Sequence, residues 1–134
     1  MSQQIAHIAL LVNDYDKTIK FYKEKLNFVI IEDTALSENK RWVLIAPKNN
    51  ADEIGKGCCL LLAAASNDEQ RSRIGNQTGG RVFLFLYTDN FQKDFMDMQE
   101  KGIKFIRQPV KEKWGTVAVF EDLYGNLWDL IERV

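Results

Sequence analysis

The sequence predicts an α+β fold: tandem βαβββ modules whose strands form a cupped, curved mixed sheet. Three observations carry that expectation. The chain opens on an apolar run, Ile5 to Val12, interrupted once by His7, which is the pattern of a strand buried on both faces. The same succession of strand, cap, helix stripe and left-handed stop returns about 75 residues later, so that Asp14 maps onto Asp89, Asn27 onto Gly102 and Phe28 onto Ile103, with a one-residue slip inside the helix. Finally, Glu121 to Ile131 reads as a tight turn, opened by Asp122 and eased by Gly125 and Asn126, feeding a last strand. In that strand Trp128 and Leu130 point one way, and Asp129 points the other way with Leu127 and Ile131.

The elements follow in order. Asn13 or Asp14 caps a helix whose apolar positions Ile19, Tyr22 and Leu26 have helical spacing, and Asn27 suits the left-handed residue that ends it. Phe28 to Ile31 and Arg41 to Ala46 are strands, the second closed by Pro47; Lys48 to Lys56 is a loop and Gly57 to Ala65 a fourth strand. From Ser66 to Gly80, a short helix capped by Asn67 gives way to a run of turn residues, which serves as the linker. Val82 to Tyr87 is then a strand. Thr88, Asp89 or Asn90 caps a helix with the stripe Phe91, Phe95, Met98, stopped by Gly102, and Ile103 to Ile106, Gly115 to Phe120 and Leu127 to Ile131 are strands. One domain therefore spans 1–134, with module 1 at about 1–65, the linker at about 66–80 and module 2 at about 81–134. Each module has one helix on one sheet face, and the natural cover for the other face is the other module.

Composition narrows the function. With 46% apolar and 28% charged residues the chain is an ordinary globular domain, and a net charge of −1 with interspersed signs gives no footprint for nucleic acid or an anionic membrane. No apolar stretch is long enough for a bilayer and Met1 to Gln4 carries no leader pattern, so the expected location is cytoplasmic. Cys58 and Cys59 are adjacent, which sends their side chains to opposite faces and suits small buried hydrophobes better than a disulfide or a zinc site.

Three features together, His7 on the first strand, Asp14 to Phe28 around the first helix and Glu121 to Leu130 at the close, make the chain resemble the vicinal oxygen chelate superfamily over essentially its whole length. That superfamily holds glyoxalase I, extradiol dioxygenases, fosfomycin-modifying enzymes and bleomycin-binding resistance proteins, so the fold alone leaves the activity open. The resemblance implies a divalent ion held by four positions, one on the first and one on the last strand of each module. His7 matches the first position and Asp129 the last, where the family usually has glutamate. By the offset of 75 the counterpart of His7 is Val82, and the counterpart of Asp129 falls near Leu61; neither can bind a metal.

The leading expectation is thus a small-molecule binder with an incomplete metal site and no cofactor, working as a homodimer. Its ligand pocket is lined by His7, Leu11, Arg41, Leu84 and Val119. The parity set by His7 puts Ala9, Leu11, Val82, Leu84 and Leu86 in the hollow, and matching the third strands sets Arg41, Val43 and Ile45 against Gly115, Val117 and Val119. Arg41 forks either to a ligand carboxylate or phosphate, or to a nearby acid at the surface. His7 is otherwise a strand histidine hydrogen-bonded in the hollow. The alternative is a metal-dependent glyoxalase-type lyase or extradiol dioxygenase. There one zinc, nickel, iron or manganese ion is held by His7 and Asp129, and Asp129 or Glu121 moves the proton. Trp128 is expected in the core, with Trp114 at the pocket's edge.

Overall fold

A computed structural model describes residues 2–50 and 57–134. The chain divides into two compact units, Met1–Ser72 and Arg73–Val134. In the first, β1 (His7–Val12), α1 (Tyr15–Leu26), β2 (Val29–Ala35), β3 (Arg41–Ala46) and β4 (Cys59–Ala64) build a four-stranded sheet ordered β1-β4-β3-β2. β1 runs parallel to β4, and the other neighbours are antiparallel. A short helix, α2 (Asp68–Arg73), follows. The second unit repeats the plan with β5 (Leu84–Tyr87), α3 (Phe91–Glu100), β6 (Phe105–Glu112), β7 (Gly115–Glu121) and β8 (Leu127–Arg133), ordered β5-β8-β7-β6. These two mixed sheets with their helices are the expected α+β architecture.

The helix ends show why the repeat keeps its step. Asp14 accepts from the Lys17 amide at 2.8 Å, and Asn27, at φ 59°, lets the Phe28 amide reach back to the Tyr22 carbonyl at 3.0 Å. In the second unit Asn90 is the cap and Gly102, at φ 86°, is the left-handed residue, with the Ile103 amide donating to Met98. The caps at 14 and 90 stand 76 apart, whereas the left-handed residues at 27 and 102 stand 75 apart, which places the slip inside the helix.

Two strands run at least four residues further than the apolar pattern suggested, and β8 continues by two, through Glu132 and Arg133. β2 continues through Glu32, Asp33 and Thr34, and β6 through Arg107 to Glu112, because both are outer strands whose side chains can face water. Both carry bulges, and β6 also carries Pro109, features that blunt a sheet edge. Of the expected loop from Lys48 to Lys56, Lys48–Asn50 form a single 3-10 turn and residues 51–56 lie outside those described.

Each sheet buries one face against its helix. In the first unit Leu10, Val12, Val43, Ile45 and Leu62 lie on that face and are fully buried with Tyr22 of α1. In the second an aromatic chain crosses from helix to sheet: Phe95 meets Phe105 edge-on at 4.6 Å, Phe105 meets Phe120, and Phe120 stacks on Trp128 at 5.8 Å. Trp128 is thus core, as expected. Glu132, on the same face, accepts from the Phe91 amide at 2.6 Å and satisfies the first turn of α3.

The closing turn positions the last strand. Asp122, buried to 5% exposure, accepts from the Tyr124 and Asn126 amides at 3.0 and 2.9 Å through Oδ1, and from Asn126 Nδ2 at 2.9 Å through Oδ2. Gly125 turns the corner at φ 95°. Gly75 packs beneath, where a Cβ would stand 2.0 Å from the Tyr124 carbonyl oxygen.

Candidate functional site

Strand pairing fixes which side chains stand on the face away from each helix, because cross-strand partners share a face. In the first unit that face carries His7, Ala9 and Leu11 of β1, Cys59 and Leu61 of β4, and Trp42, Leu44 and Ala46 of β3. His7 is the cross-strand partner of Cys59, and its ring meets Trp42 edge-on at 6.1 Å. Its Nδ1 is buried and has no hydrogen-bond partner among the described residues, so the hydrogen-bonded histidine of the sequence reading is not what this nitrogen is. Burial pushes both cysteine thiols upward, and the neighbouring Cys58 adds to the effect on Cys59, so neither is a ready thiolate.

In the second unit the corresponding face carries Asp129, Ile131 and Arg133 of β8, Val117, Val119 and Glu121 of β7, Arg107 of β6, and Phe85 and Tyr87 of β5. Four of these form a row across the sheet: Phe85 pairs with Asp129, Asp129 with Val119, and Val119 with Arg107. Burial raises the Asp129 carboxyl above its ordinary value, and the charge of Arg107 pulls it partly back. Among the described residues Asp129, Glu121 and Arg107 make no side-chain hydrogen bond or ion pair. Phe85 and Tyr87 are 62% and 64% exposed, and the Arg133 guanidinium lies over the Tyr87 ring at 5.8 Å.

The expected pocket residues therefore divide. His7 and Leu11 share one open face, and Val119, Asp129 and Glu121 share the other. Arg41 and Leu84 need correction. Arg41 lies on the helix side of β3, where Nη2 and Nε fork to Asp33 at 2.7 and 3.2 Å and Nη1 reaches Asp16 at 2.8 Å. Its guanidinium also covers the Tyr15 ring at 5.2 Å, and the two carboxylates push its proton affinity up. It is a clamp between β3, β2 and the start of α1. Leu84 pairs with Trp128, and Leu86 with Leu130, so both turn to the helix side and leave Phe85 and Tyr87 on the open face.

The cause is a single residue of register. The slip in the helix makes the offset 76 before it and 75 after it, so the counterpart of His7 is Phe83, whose amide donates to Leu127, and not Val82. By pairing, Trp42, Leu44 and Ala46 match Val117, Val119 and Glu121, one residue away from the set beginning at Arg41. Leu61 is the counterpart of Asp129, since each pairs with the matching residue of the neighbouring strand, Leu44 and Val119. Phe85 and Trp42 were missed for this reason, and Arg107 because its strand was expected to end at Ile106; reading parity outward from Asp129 would have found Phe85.

The profile of the Glyoxalase/Bleomycin resistance protein/Dioxygenase superfamily matches residues 4–130. The chain belongs to that superfamily. It is 58% identical over 133 residues to an uncharacterized protein of Shewanella frigidimarina, covering 98% of this chain and 95% of that one. Among solved structures, UcmS2 superposes with a TM-score of 0.81 at 27% identity, covering 98% of each chain. TnmS3, an antibiotic-binding protein from Streptomyces sp. CB03234, superposes at 0.77 and 25% identity, covering 99% of this chain and 98% of that one.

The donor set does not fit the superfamily's metal. Of its four positions, those held here by Leu61 and Phe83 offer no lone pair, which leaves one imidazole and one carboxylate. Among the described residues no three His, Cys, Asp or Glu side chains are grouped to hold an ion.

Proposed function

We propose that this chain is a binding member of the superfamily, taking a small organic molecule against the open sheet faces and carrying an incomplete version of the metal site. The observation that carries this reading is the replacement of two donors by Leu61 and Phe83 on faces that are otherwise apolar and aromatic, including Trp42, Leu44, Val117, Val119, Phe85 and Tyr87. Such surfaces suit the body of an organic ligand, with a few polar groups to orient it. The likeness to an antibiotic-binding protein over nearly the full length of both chains is consistent with it. On this reading Asp129 and Glu121 are polar contacts for the ligand and not proton-transfer groups.

The reading includes a homodimer in the cytoplasm with no nucleic-acid or membrane partner. No helix of the described residues is long and apolar enough to cross a membrane.

Mass-spectrometric metal analysis of freshly purified protein tests the central point. Substoichiometric transition metal is expected. Full occupancy by zinc, nickel, iron or manganese, with an activity lost on chelation, would instead establish the metal-dependent lyase or dioxygenase.

A further inference from the structure

The open face of the second sheet holds a half-buried carboxylate that narrows the ligand class. Asp129 lies between Val119 and Phe85 in its row and next to Ile131 along the face, and it is half-buried without an ion pair or hydrogen bond among the described residues. Keeping a carboxylate in such a place is costly unless a cation or a donor reaches it. Arg107 does not resolve this: it sits two strands away, beyond Val119, and is exposed, so its own charge is hydrated and needs no partner. Glu121, on the same face of β7, adds a second negative charge, and Arg133, the other cation of the face, is turned onto the Tyr87 ring.

Phe85 supplies the other half of the argument. As the cross-strand partner of Asp129 it stands about 4.8 Å away at the backbone on the same face. Its ring is mostly exposed and carries no cation among the described residues. Two residues along the same strand, Tyr87 has the Arg133 guanidinium over its ring. An aromatic face next to an unpaired carboxylate is the arrangement that binds organic ammonium groups, the ring quadrupole and the negative charge acting on one cation.

We propose that Asp129 and Phe85 together recognise a protonated amine, and that the ligand of this site is an organic cation with an apolar, aromatic body. This rests on the binding function proposed above and specifies its substrate class. The ammonium sits between the Asp129 carboxylate and the Phe85 ring, and the body lies on the apolar side chains of the same face.

Three probes of one shape test it: 2-(aminomethyl)naphthalene, 2-naphthalenemethanol and 2-naphthoate, titrated by calorimetry at pH 7.5. The amine is expected to bind at least about tenfold tighter than the alcohol, with the anion weakest. Asp129→Asn should abolish the preference for the amine over the alcohol, and Phe85→Leu should weaken the amine by about threefold to tenfold. An amine no tighter than the alcohol, an anion tightest of the three, or a preference that survives Asp129→Asn overturns the proposal while the binding function stands. Absence of binding by all three overturns both.

Discussion

Asp129→Asn should stabilise the protein at neutral pH, against the usual direction for a substitution at a half-buried acid in a folded strand. The side chain keeps its shape and loses its charge. A buried polar group without a partner costs about 1–3 kcal/mol, and the carboxylate at this half-buried position, screened by nearby water and attracted by Arg107, belongs at the low end, about 1 kcal/mol. In a domain of 134 residues that is worth roughly 3–5 °C in Tm. The pH dependence fixes the sign. Burial raises the folded-state value above the ordinary 3.8, so the folded protein holds its proton more tightly than the unfolded chain does. The corresponding stability is fully present below the ordinary value and is lost as the pH rises through the raised one. The advantage of the asparagine variant should therefore be largest at pH 7.5 and shrink as the pH is lowered toward 4. Thermal unfolding of both proteins across that range measures it. A variant less stable than the parent at pH 7.5, or a gap that does not change with pH, would mean that the carboxylate has a stabilising partner and that the site is not built as described.

Three further substitutions test the frame around the site. Asp122→Ala removes the acceptor of three hydrogen bonds in the closing turn and should cost about 3–4 kcal/mol in urea unfolding; a loss under about 1 kcal/mol would show that the turn holds without it. Gly75→Ala forces both a left-handed alanine and a Cβ against the Tyr124 carbonyl, so it should destabilise by about 2–4 kcal/mol, whereas Gly79→Ala, in open space at φ 70°, should cost only about 1 kcal/mol; equal effects would refute the close approach. Arg41→Lys breaks the fork to Asp33 and should lower stability by about 1 kcal/mol while leaving the affinity for 2-(aminomethyl)naphthalene unchanged in calorimetry; altered affinity would return Arg41 to the ligand site.

Much of the frame was legible in the residues because local chemistry decided it. Asp14 and Asn27 end their helix by the capping and left-handed preferences of their own side chains, and β3 runs from Arg41 to Ala46 as its apolar run and Pro47 dictate. The isolation of Asp129 opposite Trp128 and Leu130 followed from alternation alone. β2 and β6 were cut short because an outer strand is held by backbone pairing along one edge, and polar residues such as Asp33 and Arg107 can continue it with their side chains in water or on a neighbouring charge. The site was less legible because a strand alternates every second residue, so an offset wrong by one exchanges its two faces completely. Leu84 and Phe85 traded places for that reason, and Arg41 took the place that belongs to Trp42.

The same two-sidedness explains how the superfamily's fold persists here without its donors. Helix-side packing, from Phe95 through Phe105 and Phe120 to Trp128 in one unit and around Tyr22 and Leu10 in the other, is made by residues of one parity. The metal positions belong to the opposite parity. Exchanging a donor there for Leu61 or Phe83 leaves the helix-side contacts in place and removes the need to bring charged or polar groups together on the open face. Folding thus draws on the helix-side face of each sheet, and the proposed binding function on the opposite face of the same strands. On the proposed reading, an organic ammonium would answer the half-buried Asp129 carboxylate with one charge and lay its apolar body on the side chains of the same face.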